Sequence, residues 1–533
     1  MASPTETDPT GTTAPPARAL LALVVIGTAL VVIDMTIVTI GLPQIQADLH
    51  GTLAGTQWVI VAYMITMGAV TQVVGTLSDR LGRRRTYLTG VLVFTLASVV
   101  CGLAQDTLVL NLARAAQGVG GAILMTNAVP LLSHGYEGQR RNMAIATWTT
   151  MSTAASLVAP LLGGVLVDLL GWRAMFLVNV PFGVVAVALG LRALPADRPA
   201  RGGLASLDWT GTALLVIALA LANFALLRGE EQGWTSPSTL TQLGVAAALF
   251  VAFLVLQTRI SAPTLDLSLF RVPAFTGAAF AIFMSRVLTI GGTVYFVQYF
   301  QNSLHLSPTA SGLLLMPVFV AQMAAGMLGG KLQAWMPPAH VIAIGYACKG
   351  IGAAWMALAF SPGAQPWLLA LPLLLWGTGG GVAGSPVFAV AMDAATKARA
   401  GMAAGTMTTL ASVGAGVGTV ILGVLYKSRL SSVVSADPAL PTEQRTAITD
   451  AVAQGDVPKA LDLVPAAAQE TTRHVFEQAF AAAASSVLFT SAALAAVTMA
   501  AALVLIRKRN PREAELAKDA PAADSEAGTP SVH

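Results

Sequence analysis

The chain has 533 residues, 55% of them hydrophobic and only 11% charged, where a soluble protein carries charge on about a quarter of its residues. A mean hydropathy of +0.70 excludes an ordinary soluble enzyme. The net charge of +4 does not signal a nucleic-acid partner, because the basic residues cluster in short loops between apolar runs, as membrane topology requires.

Apolar residues fall in blocks of about 20, the length that crosses about 30 Å of hydrocarbon as a helix. They do not alternate over about 10 residues as in a membrane barrel. In chain order, residues 1–18 are rich in Pro and Thr, with Arg18 as the only cation, and read as a disordered cytoplasmic tail rather than a cleavable leader. A first six-helix bundle over 19–192 holds spans at about 19–43, 56–77, 86–104, 107–132, 143–167 and 172–192. A linker over 193–258 carries two inserted spans, about 209–227 and 240–257. A second six-helix bundle over 259–506 holds spans at about 273–300, 309–331, 339–359, 366–389, 402–426 and 485–506. Residues 507–533 read as a second disordered tail. The expected fold is all-α and polytopic, with about fourteen transmembrane helices. Cys101 and Cys348 both lie inside apolar runs and suggest no disulfide or metal framework.

Arg80, Arg83, Arg84 and Arg85 fall between spans 2 and 3, Arg140 and Arg141 between spans 4 and 5, and Arg507, Lys508 and Arg509 after the last span. The positive-inside rule then puts both termini in the cytoplasm of a multi-pass plasma-membrane protein. Residues 427–484 are too long and polar for a simple turn. Helical spacing of apolar residues from Pro441 to Gln454 and again from Gln469 to Ala484 predicts an outer helical hairpin capping the exit.

The chain also repeats itself. Gln117-Gly118-Val119-Gly120-Gly121 in span 4 returns as Trp376-Gly377-Thr378-Gly379-Gly380 in span 12, 259 positions on. Gly164-Val165-Leu166 and Gly423-Val424-Leu425 share that offset. Duplicated halves are a transporter architecture, with substrate bound where the halves meet.

After span 2 comes Gly75-Thr76-Leu77-Ser78-Asp79-Arg80-Leu81-Gly82-Arg83-Arg84-Arg85. This resembles the signature loop of the major facilitator superfamily. In that family the loop latches the two halves, which would give Gly75, Asp79, Arg80, Gly82, Arg83 and Arg84 that role, with Asp79 facing the start of span 13 near Gly401. Leu110, Arg114, Gln117, Gly118 and Gly120 are similar to the family's R-x-x-q-G motif. Asp34-Met35-Thr36-Ile37-Val38 followed by Gly41-Leu42-Pro43 resembles its fourteen-helix drug:proton antiporter branch, as do the stretch from Gly171-Trp172-Arg173 to Asn179-Val180-Pro181 and the run Gln298-Tyr299-Phe300-Gln301. The resemblance covers about residues 19–506. In span 5 the antiporter motif is kept at Pro160, Gly163 and Gly164, while Ala155 and Ala159 stand where the family carries glycine.

Charges inside a bilayer are costly and mark functional sites. Four stand out: Asp34, Arg114, Arg286 and Lys349. Asp34 and Arg114 fall at similar depth on spans expected to line the central cavity. They are assigned as proton-binding carboxylate and modulator; a static structural ion pair is the competing reading. Arg286 and Lys349 either face the cavity, favouring anionic or neutral amphiphiles, or anchor helices through backbone carbonyls. Gln117, Tyr295, Gln298, Met316, Phe319 and Gln322 complete the substrate-contact candidates, with Trp148 and Met323 beside them. The six histidines are placed in loops or tails, so no histidine proton relay is expected. No G-x-x-x-x-G-K-[ST] occurs to bind ATP, and no enzyme constellation is found. The sequence therefore predicts a proton-coupled secondary transporter that exports amphipathic small molecules, monomeric, driven by the proton gradient, with no cofactor or metal. A proton-coupled nutrient symporter is the alternative.

Overall fold

The computed structural model describes residues 17–51, 53–194, 208–232, 235–260, 265, 267–395, 400–437, 440, 444–453 and 457–506. Seven helices form the first part: α1 (Ala17–Asp48), α2 (Leu53–Leu81), α3 (Arg83–Leu103), α4 (Thr107–Gly135), α5 (Gly138–Leu170), α6 (Arg173–Leu177) and α7 (Asn179–Ala193). Then come α8 (Trp209–Gln232) and α9 (Pro237–Gln257). The rest is α10 (Pro273–Arg286), α11 (Gly292–Asn302), α12 (Pro308–Leu332), α13 (Pro338–Ala359), α14 (Ala370–Ala394), α15 (Ala400–Ala436), α16 (Arg445–Ala453), α17 (Val457–Asp462) and α18 (Gln469–Leu505).

Local chemistry sets many of these limits. Asp106 caps α4 by accepting from the Val109 amide at 2.8 Å, and Ser307 caps α12 by accepting from Ala310 at 3.2 Å, with Pro308 in the first turn. Gly171 closes α5 at φ 79° and Gly82 breaks α2 from α3 at φ 99°, a region L side chains rarely adopt.

Among the described residues, twelve helices are long and apolar enough to cross a membrane. Two of the fourteen expected spans give only shorter apolar stretches, Gly55–Thr71 within α2 and Thr210–Ala225 within α8. By this measure the described residues give twelve spans. Apolar side chains cover the outer surface: Leu92, Leu96, Val100 and Leu103 form an exposed row down α3, a face that needs lipid around it.

Two connections differ from the sequence reading. The span at 273–300 is not one α-helix: a π turn, Val287–Gly291, separates α10 from α11. The outer segment is not a simple two-armed hairpin. Gln469–Leu505 contains neither Gly nor Pro and runs as one unbroken helix of 37 residues, so its first turns belong to the last span. α15 likewise continues to Ala436. The short α16 and α17 sit between these extensions, with Ile448, Val452, Ala460 and Val464 buried. His134, His340 and His474 lie within α4, α13 and α18 rather than in loops.

The repeated glycine motifs make matching contacts. A Cβ on Gly120 would lie 2.7 Å from the Phe94 amide and 2.9 Å from the Gly90 carbonyl oxygen, so α4 and α3 touch backbone to backbone. Gly379 makes the same approach from α14 to α13, with Lys349 N at 2.6 Å and the Gly345 carbonyl in contact. Gly118 packs on the α2 backbone at Tyr63 and Met67, and Gly377 on the α12 backbone at Val318. Small residues allow such approach where lipid supplies no hydrophobic drive between helices.

The connections at 81–83, 135–138 and 332–338 mark the near end of the bundle, and those at 48–53, 103–107, 170–173 and 302–308 the far end.

Candidate functional site: a buried acid beside a one-sided cavity

Asp34 stands near the middle of α1 and is fully buried together with Arg114. Arg114 Nη1 donates to Asp34 Oδ2 at 2.5 Å, while Gln117 Nε2 and Asn179 Nδ2 donate to Oδ1 at 2.8 and 3.1 Å. Arg114 also donates through Nε to the Val59 carbonyl at 2.8 Å and through Nη1 to Gln117 Oε1 at 2.7 Å. Ser98 receives Gln117 Nε2 at 2.9 Å and Asn179 Nδ2 at 3.3 Å. The Tyr63 ring covers the guanidinium at 4.3 Å. Five helices, α1, α2, α3, α4 and α7, therefore converge on one carboxylate.

Such charge-assisted bonds are the strong ones in a dry interior. The network is nearly saturated, yet Arg114 Nη2 and the Tyr63 hydroxyl lack a partner among the described residues. Unpaired buried donors are expensive.

A cavity of about 590 Å³ lies in the near half of the bundle, between α1, α4, α5, α12 and α14. Thr28 and Val32 of α1 form part of its wall, within two turns of Asp34. Trp148 donates from Nε1 to Thr28 Oγ1 at 2.8 Å across that wall. The opposite walls carry Phe319, Gln322 and Met323. Among the described residues, no charged side chain lines it. Its polar face is a row on α5: Thr149, Ser152, Thr153 and Ser156, each donating to the carbonyl four residues back at 2.9, 2.7, 2.9 and 3.2 Å. The hydroxyl oxygens keep acceptor capacity towards the cavity. An apolar hollow of this size with sparse polar groups suits a lipophilic small molecule.

The far end is sealed. A Cβ on Gly164 would stand 2.5 Å from both Thr309 Cα and the Pro308 carbonyl oxygen, and Gly163 packs on Ile37 of α1 with Cγ1 at 2.5 Å. Gly312 touches the Pro160 backbone from α12. Asp168 Oδ2 accepts from the Thr309 amide at 2.8 Å, and Gln301 Nε2 donates to the Ile40 carbonyl at 3.0 Å. Gln57 Nε2 reaches the Tyr295 hydroxyl at 3.0 Å, which donates to the Thr419 carbonyl at 2.7 Å. The sequence motif at Pro160, Gly163 and Gly164 is thus the α5 side of this seal.

The other candidates are dispersed. Of the eight substrate-contact residues, Phe319 and Gln322 line the cavity. Gln117 belongs to the Asp34 network, Tyr295 to the far seal, and Gln298 is buried, accepting from Asn302 Nδ2 at 2.6 Å. Met316 is half-buried on α12. Lys349 is buried, its Nζ 2.6 Å from Thr289 Oγ1 and 5.2 Å from the Trp376 ring centroid; Arg286 is half-buried at the end of α10. In the loop resembling the family latch, Arg84 Nη2 donates to the Leu191 carbonyl at 3.0 Å, tying α3 to α7. The side chains at 75, 79, 80 and 401 lie outside the described residues.

Sequence reasoning did not assign Ser98, Asn179 or the α5 hydroxyl row. Thr149, Ser152, Thr153 and Ser156 follow helical spacing, which was the available signal; a lone Ser98 in an apolar run offers none.

The description Major Facilitator Superfamily matches residues 24–419. The chain is 33% identical over 451 residues to the multidrug resistance protein Stp of Mycobacterium tuberculosis, covering 83% of this chain and 82% of that one. It is 31% identical over 527 residues to the tetracenomycin C resistance and export protein of Streptomyces glaucescens, covering 96% and 97%. Among solved structures, it resembles a bacterial homolog of the human lysosomal transporter Spinster in an inward-facing, occupied conformation, with a TM-score of 0.63 at 16% identity, covering 94% and 100%. That likeness concerns the fold.

Proposed function

The chain belongs to the major facilitator superfamily, and from that premise we propose that it is a proton-coupled exporter of amphipathic small molecules working by alternating access. The observation that carries this reading is the one-sided cavity: open space in the near half, and a far end closed by Gly164 and Gly312 against facing backbone. A pore would be open at both ends, and a scaffold needs no cavity. The relatives whose names speak of multidrug resistance and export support the outward direction.

Orientation follows from charge. Arg83, Arg84, Arg85, Arg140 and Arg141 sit at the near end, which makes it cytoplasmic by the positive-inside rule and puts both termini there. α2 and α8, with 29 and 24 residues, extend about 43 and 36 Å, enough to cross about 30 Å of hydrocarbon. Counting them gives fourteen spans: two six-helix halves, with α8 and α9 paired beside α2 and α15. The matched glycine contacts support the two-half arrangement. Helices of one chain enclose the cavity, so a monomer suffices.

Asp34 is the proton site. In the structure Arg114 is its ion-pair partner. Protonation removes the charge that fixes Arg114, freeing α1, whose Thr28 and Val32 form the cavity wall. Cargo loading and proton binding are thereby linked through one helix. Arg114 and Gln117 set the carboxylate's environment, and the loop from Gly75 to Arg84 latches the cytoplasmic ends when the cavity opens outward.

The test uses everted vesicles holding an imposed proton gradient, with amphiphiles of each charge class added to wild type and Asp34→Asn. Gradient collapse that requires Asp34 is expected. Collapse that is equal in the two proteins, or absent with folded wild type, removes the coupling role of Asp34.

A further inference from the structure

The two halves treat charge differently. In the first, Arg114 has a carboxylate, an amide oxygen and a backbone carbonyl. In the second, Lys349 is 2% exposed and its ammonium has one hydroxyl, Thr289 Oγ1 at 2.6 Å, and one aromatic face, Trp376. An ammonium carries three donors. Arg286, at the end of α10, is a second cation of this half. Neither makes an ion pair with a carboxylate among the described residues. A buried cation without a counter-charge is costly in a membrane interior.

Lys349 also lies just behind the cavity wall. A Cβ added to Gly380 would sit 3.8 Å from Lys349 Nζ and 3.7 Å from Gln322 Oε1, and Gly380 and Gln322 both line the cavity. Gly380, with no atom nearer than 3.7 Å to an added Cβ, leaves a side-chain-free window in α14 at this point. Thr289, the present partner of Lys349, stands in the π turn Val287–Gly291, a geometry that recurs at functional sites because its extra residue is readily reabsorbed.

We propose that Lys349 is the anion-recognition group of the cavity, so that the preferred cargo bears one acidic group, such as an aryl carboxylate, sulfonate or phenolate, on an apolar body. The inference rests on the export reading for its physiological meaning, but recognition itself needs no gradient. The acidic group enters past Gln322, passes the Gly380 window and replaces Thr289 as partner of the ammonium. Arg286 adds long-range attraction, and the apolar body stays against Phe319 and Met323.

The experiment measures equilibrium binding to the full-length protein in detergent, without a gradient. Three aromatic probes serve: anilinonaphthalene sulfonate (anionic), Nile red (neutral) and ethidium (cationic). Lys349→Met is expected to weaken the anionic probe at least tenfold and leave Nile red unchanged, and Lys349→Arg to restore most of the loss. Gly380→Leu, which fills the window and leaves the charge, is expected to weaken the anionic probe selectively as well. A Lys349→Met variant that binds all three probes as wild type does, or loses all three equally, overturns the proposal; so does a wild type with no preference for the anionic probe. Probe binding is read without a gradient and proton coupling only with one, so a failure of proton coupling and a failure of this site read out separately.

Discussion

Replacing Gly164 by alanine should unseal the outer end of the bundle. The new methyl would fall 2.5 Å from Thr309 Cα and from the Pro308 carbonyl oxygen, and 2.8 Å from the Pro308 carbonyl carbon. All three are backbone atoms of the α12 start and cannot rotate away, so α5 and α12 must part by about 1 Å. Overpacking of this kind costs about 1–3 kcal/mol. The contact exists only while the outer end is closed, so the whole cost falls on that state. By population arithmetic the ratio of outward-open to inward-open protein rises about 5- to 150-fold. Ser156 lines the cavity, so Ser156→Cys reports access when a membrane-impermeant maleimide is applied from outside; the parent with Cys101 and Cys348, buried and half-buried, gives the background. Gly164→Ala should raise the external labelling rate by several-fold or more. Gly244→Ala, with nothing within 4 Å of its Cβ, is the control. Equal rates in the two folded variants would refute the claim that Gly164 holds the outer seal.

Removing one member of the Asp34–Arg114 pair should destabilise the protein by about 3–5 kcal/mol, whereas Asp34→Asn combined with Arg114→Leu should cost less than the two singles summed; thermal unfolding in detergent measures the coupling. Asn179→Leu strips donors from Asp34 and Ser98 and should cost about 1–3 kcal/mol, with a matching fall in proton-coupled transport in vesicles. Thr153→Ala and Ser156→Ala remove hydroxyls already satisfied by their own helix. They should leave the melting temperature nearly unchanged and alter the relative transport of polar and apolar cargo; an unchanged cargo profile would show that the α5 row does not face substrate.

Much of this architecture was legible because the membrane makes polarity conspicuous. Asp34 and Arg114 are rare charges in apolar runs, and their joint burial follows from that rarity. Pro160, Gly163 and Gly164 could be read as a motif, but not the backbone of Pro308 and Thr309 that they meet, because a contact partner leaves no mark in one sequence. Tyr295 and Gln298 are legible as polar groups in an apolar span, but their contacts with Gln57 and Asn302 are not. Tyr295 lies in α11, toward the far end, where its hydroxyl meets Gln57 and the Thr419 carbonyl. Ser98 and Asn179 are small polar residues in apolar surroundings, indistinguishable by sequence from ordinary helix packing until Asp34 is placed between them. The outer segment was misread for a simpler reason: apolar spacing marks a helix, but only the absence of Gly and Pro from Gln469 to Leu505 indicates that the helix does not stop at the membrane surface.

That continuity has a mechanical consequence. α15 and α18 each have 37 residues, about 55 Å of rigid rod against about 30 Å of hydrocarbon. They run side by side past the far end of the bundle as a mast, braced by α16 and α17, with α15 lying against α2 across the two halves. A mast amplifies. A tilt of about 10° at its base swings a tip about 25 Å higher by about 4 Å. A pair of fluorophores, one near Ala436 and one on the short α6 turn, would report the swing at a site remote from cargo, gate and proton alike.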